Sequence, residues 1–149
     1  MLEIPAAIKT IGDWLLSLVK PRQEANFRLQ EARRQERRRV REKLIPYNTV
    51  VHSIGCGNWP GSEWGSLLSE VGRLGLQVRE SLDLDRATAG LDWCLQVEDC
   101  LDKGWKLAHH CFGMSGAARL GADYVTRLHE NFDAVRDAYE QTHRRVTTE

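Results

Sequence analysis

Proline is scarce in this chain and confined to its first half, at Pro5, Pro21, Pro46 and Pro60. Proline lacks an amide donor and crowds the preceding helical turn, so its absence after Pro60 removes the strongest obstacle to long helices there. Cysteine is sparse as well: Cys56, Cys94, Cys100 and Cys111 occur without a C-x-x-C pair. The N-terminus shows neither the basic start nor the small-residue cleavage site of a secretory signal. The expectation is therefore a reducing, cytoplasmic compartment and free thiols. No run approaches the ~20 apolar residues of a membrane span, and the most apolar stretch is only Trp14 to Val19. Also missing is the phosphate-cradling glycine loop that ends in Gly-Lys-Ser/Thr. Gly55-Cys56-Gly57 lacks the strand and third glycine of a dinucleotide fingerprint.

What is present is globular in character. The 149 residues are 42% hydrophobic and 28% charged, a balance suited to one folded domain and unlike that of disordered chains. Net charge is zero but unevenly placed. Between Arg22 and Lys43 there are nine Lys/Arg against four Glu, a net +5, whereas Leu44 to Glu149 carries ten Lys/Arg against fifteen Asp/Glu, a net −5. A basic arm beside an acidic body suits contact with that body, with a sister subunit or with an anionic partner.

Hydrophobic periodicity predicts helices throughout, so the expected fold is all-α, a bundle of about five helices. The first should begin near Pro5 and stop before Pro21. On a wheel, Trp14, Ala7, Leu18, Ile11, Ile4, Leu15, Ile8 and Val19 form one arc opposite Lys9, Asp13, Ser17 and Lys20. Such a face must be buried in a core, a partner or a membrane interface. A second, long Arg/Glu-rich helix is expected from Arg22 to Ile45, ended by Pro46 and largely solvated. Its apolar stripe of Ala25, Leu29, Ala32, Val40 and Leu44 is thin and is interrupted by Glu36. These two helices (1–46) form the expected arm, and 47–149 the bundle body.

Residues 47–62 read as mostly irregular, with Asn48 to Ile54 as a short extended piece or a single turn. Ser62 is the expected N-cap of a third helix with Trp64, Leu67, Val71, Leu74 and Val78 inward. Gly72 and Gly75 either weaken it or let a neighbour approach. Asp83 or Asp85 should cap a fourth, with Ala87, Leu91, Cys94 or Leu95, Leu101, Trp105 and Ala108 inward. Gly113 should close it and Ser115 cap the fifth. That last helix carries a heptad seam of Gly121, Val125, Leu128, Phe132, Val135, Tyr139, Thr142 and Val146.

Candidate chemistry is thin. Cys94 and Cys100 with His109-His110-Cys111 lack the paired spacing of structural zinc ligands, and read as buried thiols and helix-end histidines. Glu140-x-x-His143 matches half of a di-iron pattern whose second half is absent. Glu98, Asp102, Trp105 and His109 share a helix face without a nucleophile or an oxyanion donor. No metal or other cofactor is therefore expected.

The arginine run Arg33, Arg34, Arg37, Arg38, Arg39 and Arg41 has the chemistry to grip phosphates, although Glu31, Glu36 and Glu42 are interleaved and only Phe27 is near for stacking. The expectation is a non-enzymatic interaction or assembly protein. Its contact residues would be these arginines together with Ile11, Trp14, Leu15 and Leu18, acting on a protein partner or a second copy. Attachment to an anionic membrane surface by the N-terminal helix and polybasic stretch is one variant. Nucleic-acid binding through Arg33–Arg41 is the alternative, and a small helical enzyme is third. On this reading the arginines are exposed, and charge reversal at Arg37, Arg38 and Arg41 should leave folding intact.

Overall fold

A stripe of side chains at alternating steps of three and four explains the longest element. Val40, Leu44, Tyr47, Val51 and Ile54 are all buried, and they lie on one side of a single helix, α1, which runs unbroken from Ala6 to Cys56 with Pro21 and Pro46 inside it. The computed structural model describes residues 6–56, 63–117 and 122–148, with side chains at 10–55, 63–113 and 131–148. Four further helices follow: α2 (Trp64–Leu84), the single turn α3 (Arg86–Ala89), α4 (Leu91–Ala117) and α5 (Ala122–Thr147). The fold is all-α, and no strand occurs among the described residues.

Two expected boundaries are thereby corrected. The first helix does not stop before Pro21, nor does the second end at Pro46. Asn48 to Ile54 is helix rather than an extended piece, and Gly55 and Cys56 continue it. An interior proline costs roughly 3 kcal/mol. Burying each large apolar side chain stabilises by ~1.5–3 kcal/mol, so the five-residue stripe that spans Pro46 outweighs that cost. The exposed Pro46 ring faces solvent, away from the packing.

Contacts between named residues fix the topology. Gly72 lies against Trp105 while Arg79 pairs with Asp102, so α2 and α4 are antiparallel. Trp93 packs with Arg37 and Gly104 with Tyr47, so α4 runs parallel to α1. The Tyr139 hydroxyl donates to Asn48 Oδ1 at 2.6 Å, and Arg41 Nε donates to the Val146 carbonyl at 2.9 Å, so α5 is antiparallel to α1. This is an up-down-up-down bundle in which α1 and α4 sit together and α2 and α5 flank them.

The centre of the bundle is unusually tight. Tyr47 is buried, and its hydroxyl donates to the Leu101 carbonyl at 2.7 Å. A Cβ on Gly104 would stand 2.5 Å from Tyr47 Oη and 3.0 Å from a Tyr139 ring carbon, and one on Gly75 would stand 3.4 Å from the other edge of the Tyr47 ring. Only glycine at position 104 lets α4 approach both tyrosines. Gly75 is thus a close-approach site rather than a weak point.

Helix α2 buries Trp64, Val71, Leu74 and Val78 as its pattern implied. Ser62 and Gly121 lie outside the described residues, as do the side chains of Val125 and Leu128. The Asp85 carboxylate accepts from the Thr88 amide at 3.1 Å and caps the short α3, which the periodicity did not separate. Helix α4 passes through Gly113 and Ser115 to Ala117, so neither ends it or starts α5. Its inward face also needs correction. Cys94, Leu101 and Ala108 are buried, but so are Trp93, Val97, Cys100 and Leu107, while Leu91, Leu95 and Trp105 are exposed, and Ala87 falls in α3 and is exposed. In α5, Tyr139, Thr142 and Val146 are buried, with Phe132 and Val135 packed against the core.

Gly104→Ala should therefore lower stability by about 1–3 kcal/mol, the usual range for overpacking. Tyr47→Phe alone should cost ~1 kcal/mol for its lost hydrogen bond, yet in the double variant it should recover part of the Gly104→Ala loss. Urea denaturation of the four proteins measures the coupling, and strictly additive losses would mean that the two side chains do not collide.

Candidate functional site: an overhanging arm on an arginine hinge

The body first grips α1 near Arg33. Arg33 Nε donates to the Thr88 carbonyl at 3.2 Å and Arg37 Nε to the Ala89 carbonyl at 2.8 Å, at the C-terminal end of α3. Arg41 makes the corresponding bond to Val146 at the end of α5. Terminal carbonyls lack amide partners and carry the negative end of the helix dipole, so guanidinium groups suit them. Arg37 and Arg41 also stand over the buried Trp93 ring, 5.2 and 5.6 Å from its centroid. Gly90, at φ +99°, supplies the left-handed turn after Ala89 that separates α3 from α4. Burial, then repulsion from Arg33 and Arg41, lowers the Arg37 pKa, and burial lowers that of Arg41.

The arginine run is therefore split by its helical phase. Arg33, Arg37 and Arg41 tie α1 to the body. Arg39 pairs with Glu36 at 2.6 Å. Only Arg34 and Arg38 project outward, with side chains 73% and 81% exposed, each beside a glutamate one turn away. The segment is not the largely solvated helix that its charge implied, because a stripe spaced by four residues offers three arginines to one face.

N-terminal to Arg33 the helix continues as an overhang. At 1.5 Å per residue, positions 6–32 span about 40 Å. Six large apolar residues within nine positions are exposed there: Ile11, Trp14 (60%), Leu15, Leu16 (66%), Leu18 and Val19. Phe27 and Leu29 are exposed as well. All four apolar site candidates from the sequence thus share one open surface, well separated along α1 from the arginine hinge. No side-chain burial offsets the proline penalty at Pro21, since residues 13–31 are exposed throughout.

The remaining titratable groups do not assemble a reactive centre. His109 packs edge-on against Trp105 at 4.4 Å, and His110 stacks over Phe132 at 6.2 Å. Asp102 pairs with Arg79 at 2.8 Å, and Glu98 with Arg86. Cys94, Cys100 and Cys111 are buried and in no disulfide, and burial pushes the Cys100 thiol up to about 12. Among the described residues no group of three or more His, Cys, Asp or Glu is placed to hold a metal ion. Glu140 and His143 line a cavity of about 190 Å³ between α1 and α5, together with Asn48, His52, Arg136 and Arg144. No pattern along the chain marks this cleft, because its walls come from helices some ninety positions apart.

Comparison with protein-family models, curated proteins and solved structures finds no match for the chain. Among the described residues no helix is long and apolar enough to cross a membrane.

Charge reversal should separate the two sets of arginines. Arg37→Glu with Arg41→Glu breaks two charge-assisted hydrogen bonds and two cation–π contacts, and should cost roughly 2–4 kcal/mol. Arg34→Glu with Arg38→Glu should change the melting temperature little, because exposed pairs contribute little. Thermal melts of the two double variants measure this difference, and equal losses would remove the hinge assignment.

Burial lowers the pKa of the half-buried His143. The unfolded chain then takes up this proton at higher pH than the folded one. The contribution is full above the ordinary histidine pKa of ~6.5 and is lost as pH falls through the folded value. Melting temperature should therefore drop between pH 7.5 and pH 5.5, and His143→Gln should reduce that drop. An identical drop in the variant would assign the acid sensitivity to other groups.

Proposed function

We propose that this is a non-enzymatic helical interaction protein whose α1 overhang is the binding element and whose bundle is its rigid mount. One observation carries this reading: a helix anchored by a well-packed core projects Ile11, Trp14, Leu15 and Leu18 into solvent on a face that its own bundle leaves uncovered. Large contiguous apolar surface of this kind marks interaction sites. A continuous helix also cannot fold back onto its own body to hide it. Nucleic-acid binding through Arg33–Arg41 has less support, since three of the six arginines are spent on backbone carbonyls. A small enzyme has less still. The α1/α5 cleft holds Glu140 and His143, but the Tyr139 hydroxyl beside them is committed to Asn48.

Leu15→Glu with Leu18→Glu in the full chain tests this reading without touching the core. Circular dichroism and melting temperature should be unchanged, while concentration-dependent association by light scattering and flotation with anionic vesicles should both be lost or absent. A salt-sensitive mobility shift of duplex DNA, kept in that variant and abolished by Arg34→Glu with Arg38→Glu, would replace it with the nucleic-acid reading.

A further inference from the structure

Building on the reading of the arm as a binding element, we infer that its occupant is the arm of a second copy, laid antiparallel. At about 100° per residue, Ile11, Leu15, Leu18 and Leu29 fall within roughly the same 80° of arc as Val40, Leu44, Tyr47, Val51 and Ile54. The face that the body covers beyond Arg33 is thus the face the overhang leaves open, and a packing interface already established in the bundle continues onto it. In the sequence the overhang keeps heptad steps, with Ile8, Ile11, Leu15, Leu18, Arg22, Ala25 and Leu29 alternating three and four. Such a seam asks for a second helix at a shallow crossing angle.

Two arguments select the antiparallel arrangement. In a parallel pair Arg22 would meet Arg22 inside the seam, a juxtaposition of like charges in an apolar setting. The bodies would also collide, because α2 and α4 stand on the side of α1 that a parallel partner must occupy. Antiparallel arms avoid both. With paired residue numbers summing to 33, Leu15 faces Leu18, and Arg22 lays its aliphatic stem along Ile11. Pairing is centred between Leu15 and Leu18 and stops short of Arg33, where the body begins. The resulting contact is isologous, as a two-fold dimer requires.

Light scattering of the full chain at micromolar concentration should report twice the 17.0 kDa chain mass, falling to one chain mass in Leu15→Glu with Leu18→Glu. A short bismaleimide should join a chain carrying Ile11→Cys to a chain carrying Arg22→Cys when the two are mixed. Peptide mapping should place the link between those positions, and neither variant alone should link to itself there. Self-linking of either variant alone would overturn the antiparallel register. A dimer that survives the Glu substitutions would place the interface elsewhere. A chain that is monomeric but floats with anionic vesicles, and loses flotation with the Glu pair, would overturn the second copy as occupant while leaving the binding arm intact. A monomer that binds no vesicle would overturn both readings.

Discussion

The close approach of α4 to Tyr47 is the constraint on which the rest of the bundle depends. Tyr47 is the largest fully buried side chain among the described residues, and it is walled by Gly75 on α2 and Gly104 on α4 while its hydroxyl reaches the Leu101 carbonyl. It thereby joins α1 to α2 and α4 at one level and fixes their relative height. Tyr139 enters from α5 against the same glycine and bonds to Asn48, the neighbour of Tyr47. Two tyrosines whose hydroxyls are both satisfied specify a single register, which an all-aliphatic layer at this level would leave open to sliding. Burial raises the pKa of both phenols, so they remain neutral donors at any ordinary pH.

The arginine hinge follows from that register. Once Tyr47 is seated, α1 passes the ends of α3 and α5, and Arg33, Arg37 and Arg41 meet carbonyls that have no amide partners. A cation at a helix C-terminus gains from the dipole and from the orphan acceptors together. The basic segment is therefore held to the body by backbone carbonyls and one tryptophan face. This changes what its charge means. The excess of arginine over glutamate between Arg22 and Lys43 looks like a surface for anions, yet much of it completes the fold.

Much of the bundle was legible from periodicity, because a face buried on one side imposes its spacing on the sequence. The α2 stripe from Trp64 to Val78 and the α5 seam through Tyr139, Thr142 and Val146 were read in their true phase. The α4 phase was not, since its core runs through Cys100 and Gly104, small residues that carry little hydrophobic signal, while Leu91, Leu95 and Trp105 remain outside. Pro21 and Pro46 misled for a different reason. Proline's local cost is fixed, and whether tertiary burial exceeds it depends on contacts that a linear pattern does not display. The apolar candidates Ile11, Trp14, Leu15 and Leu18 were visible as an amphipathic arc, but their exposure was not, because a wheel shows which side is apolar without showing what covers it. The arginines posed the converse problem: helical phase divides Arg33, Arg37 and Arg41 from Arg34 and Arg38, yet only the positions of Thr88, Ala89 and Val146 reveal which side is occupied.

Continuity of α1 links fold to function. Were the chain to break at Pro46, the arm would be tethered and free to seek its own body, and the apolar face would find intramolecular cover. Because the stripe from Val40 to Ile54 carries the helix through Pro46, core packing in the bundle dictates the direction of residues more than 20 positions upstream. Rigidity also reduces what association must cost, since a partner meets a face whose backbone is already ordered. The weak point of this linkage is Pro21, where the exposed helix lacks the burial that offsets Pro46. Bending there would swing Ile11 to Val19 relative to the body while leaving the hinge untouched, so coverage by a second helix would stabilise not only the apolar face but the straight course of α1 through Pro21.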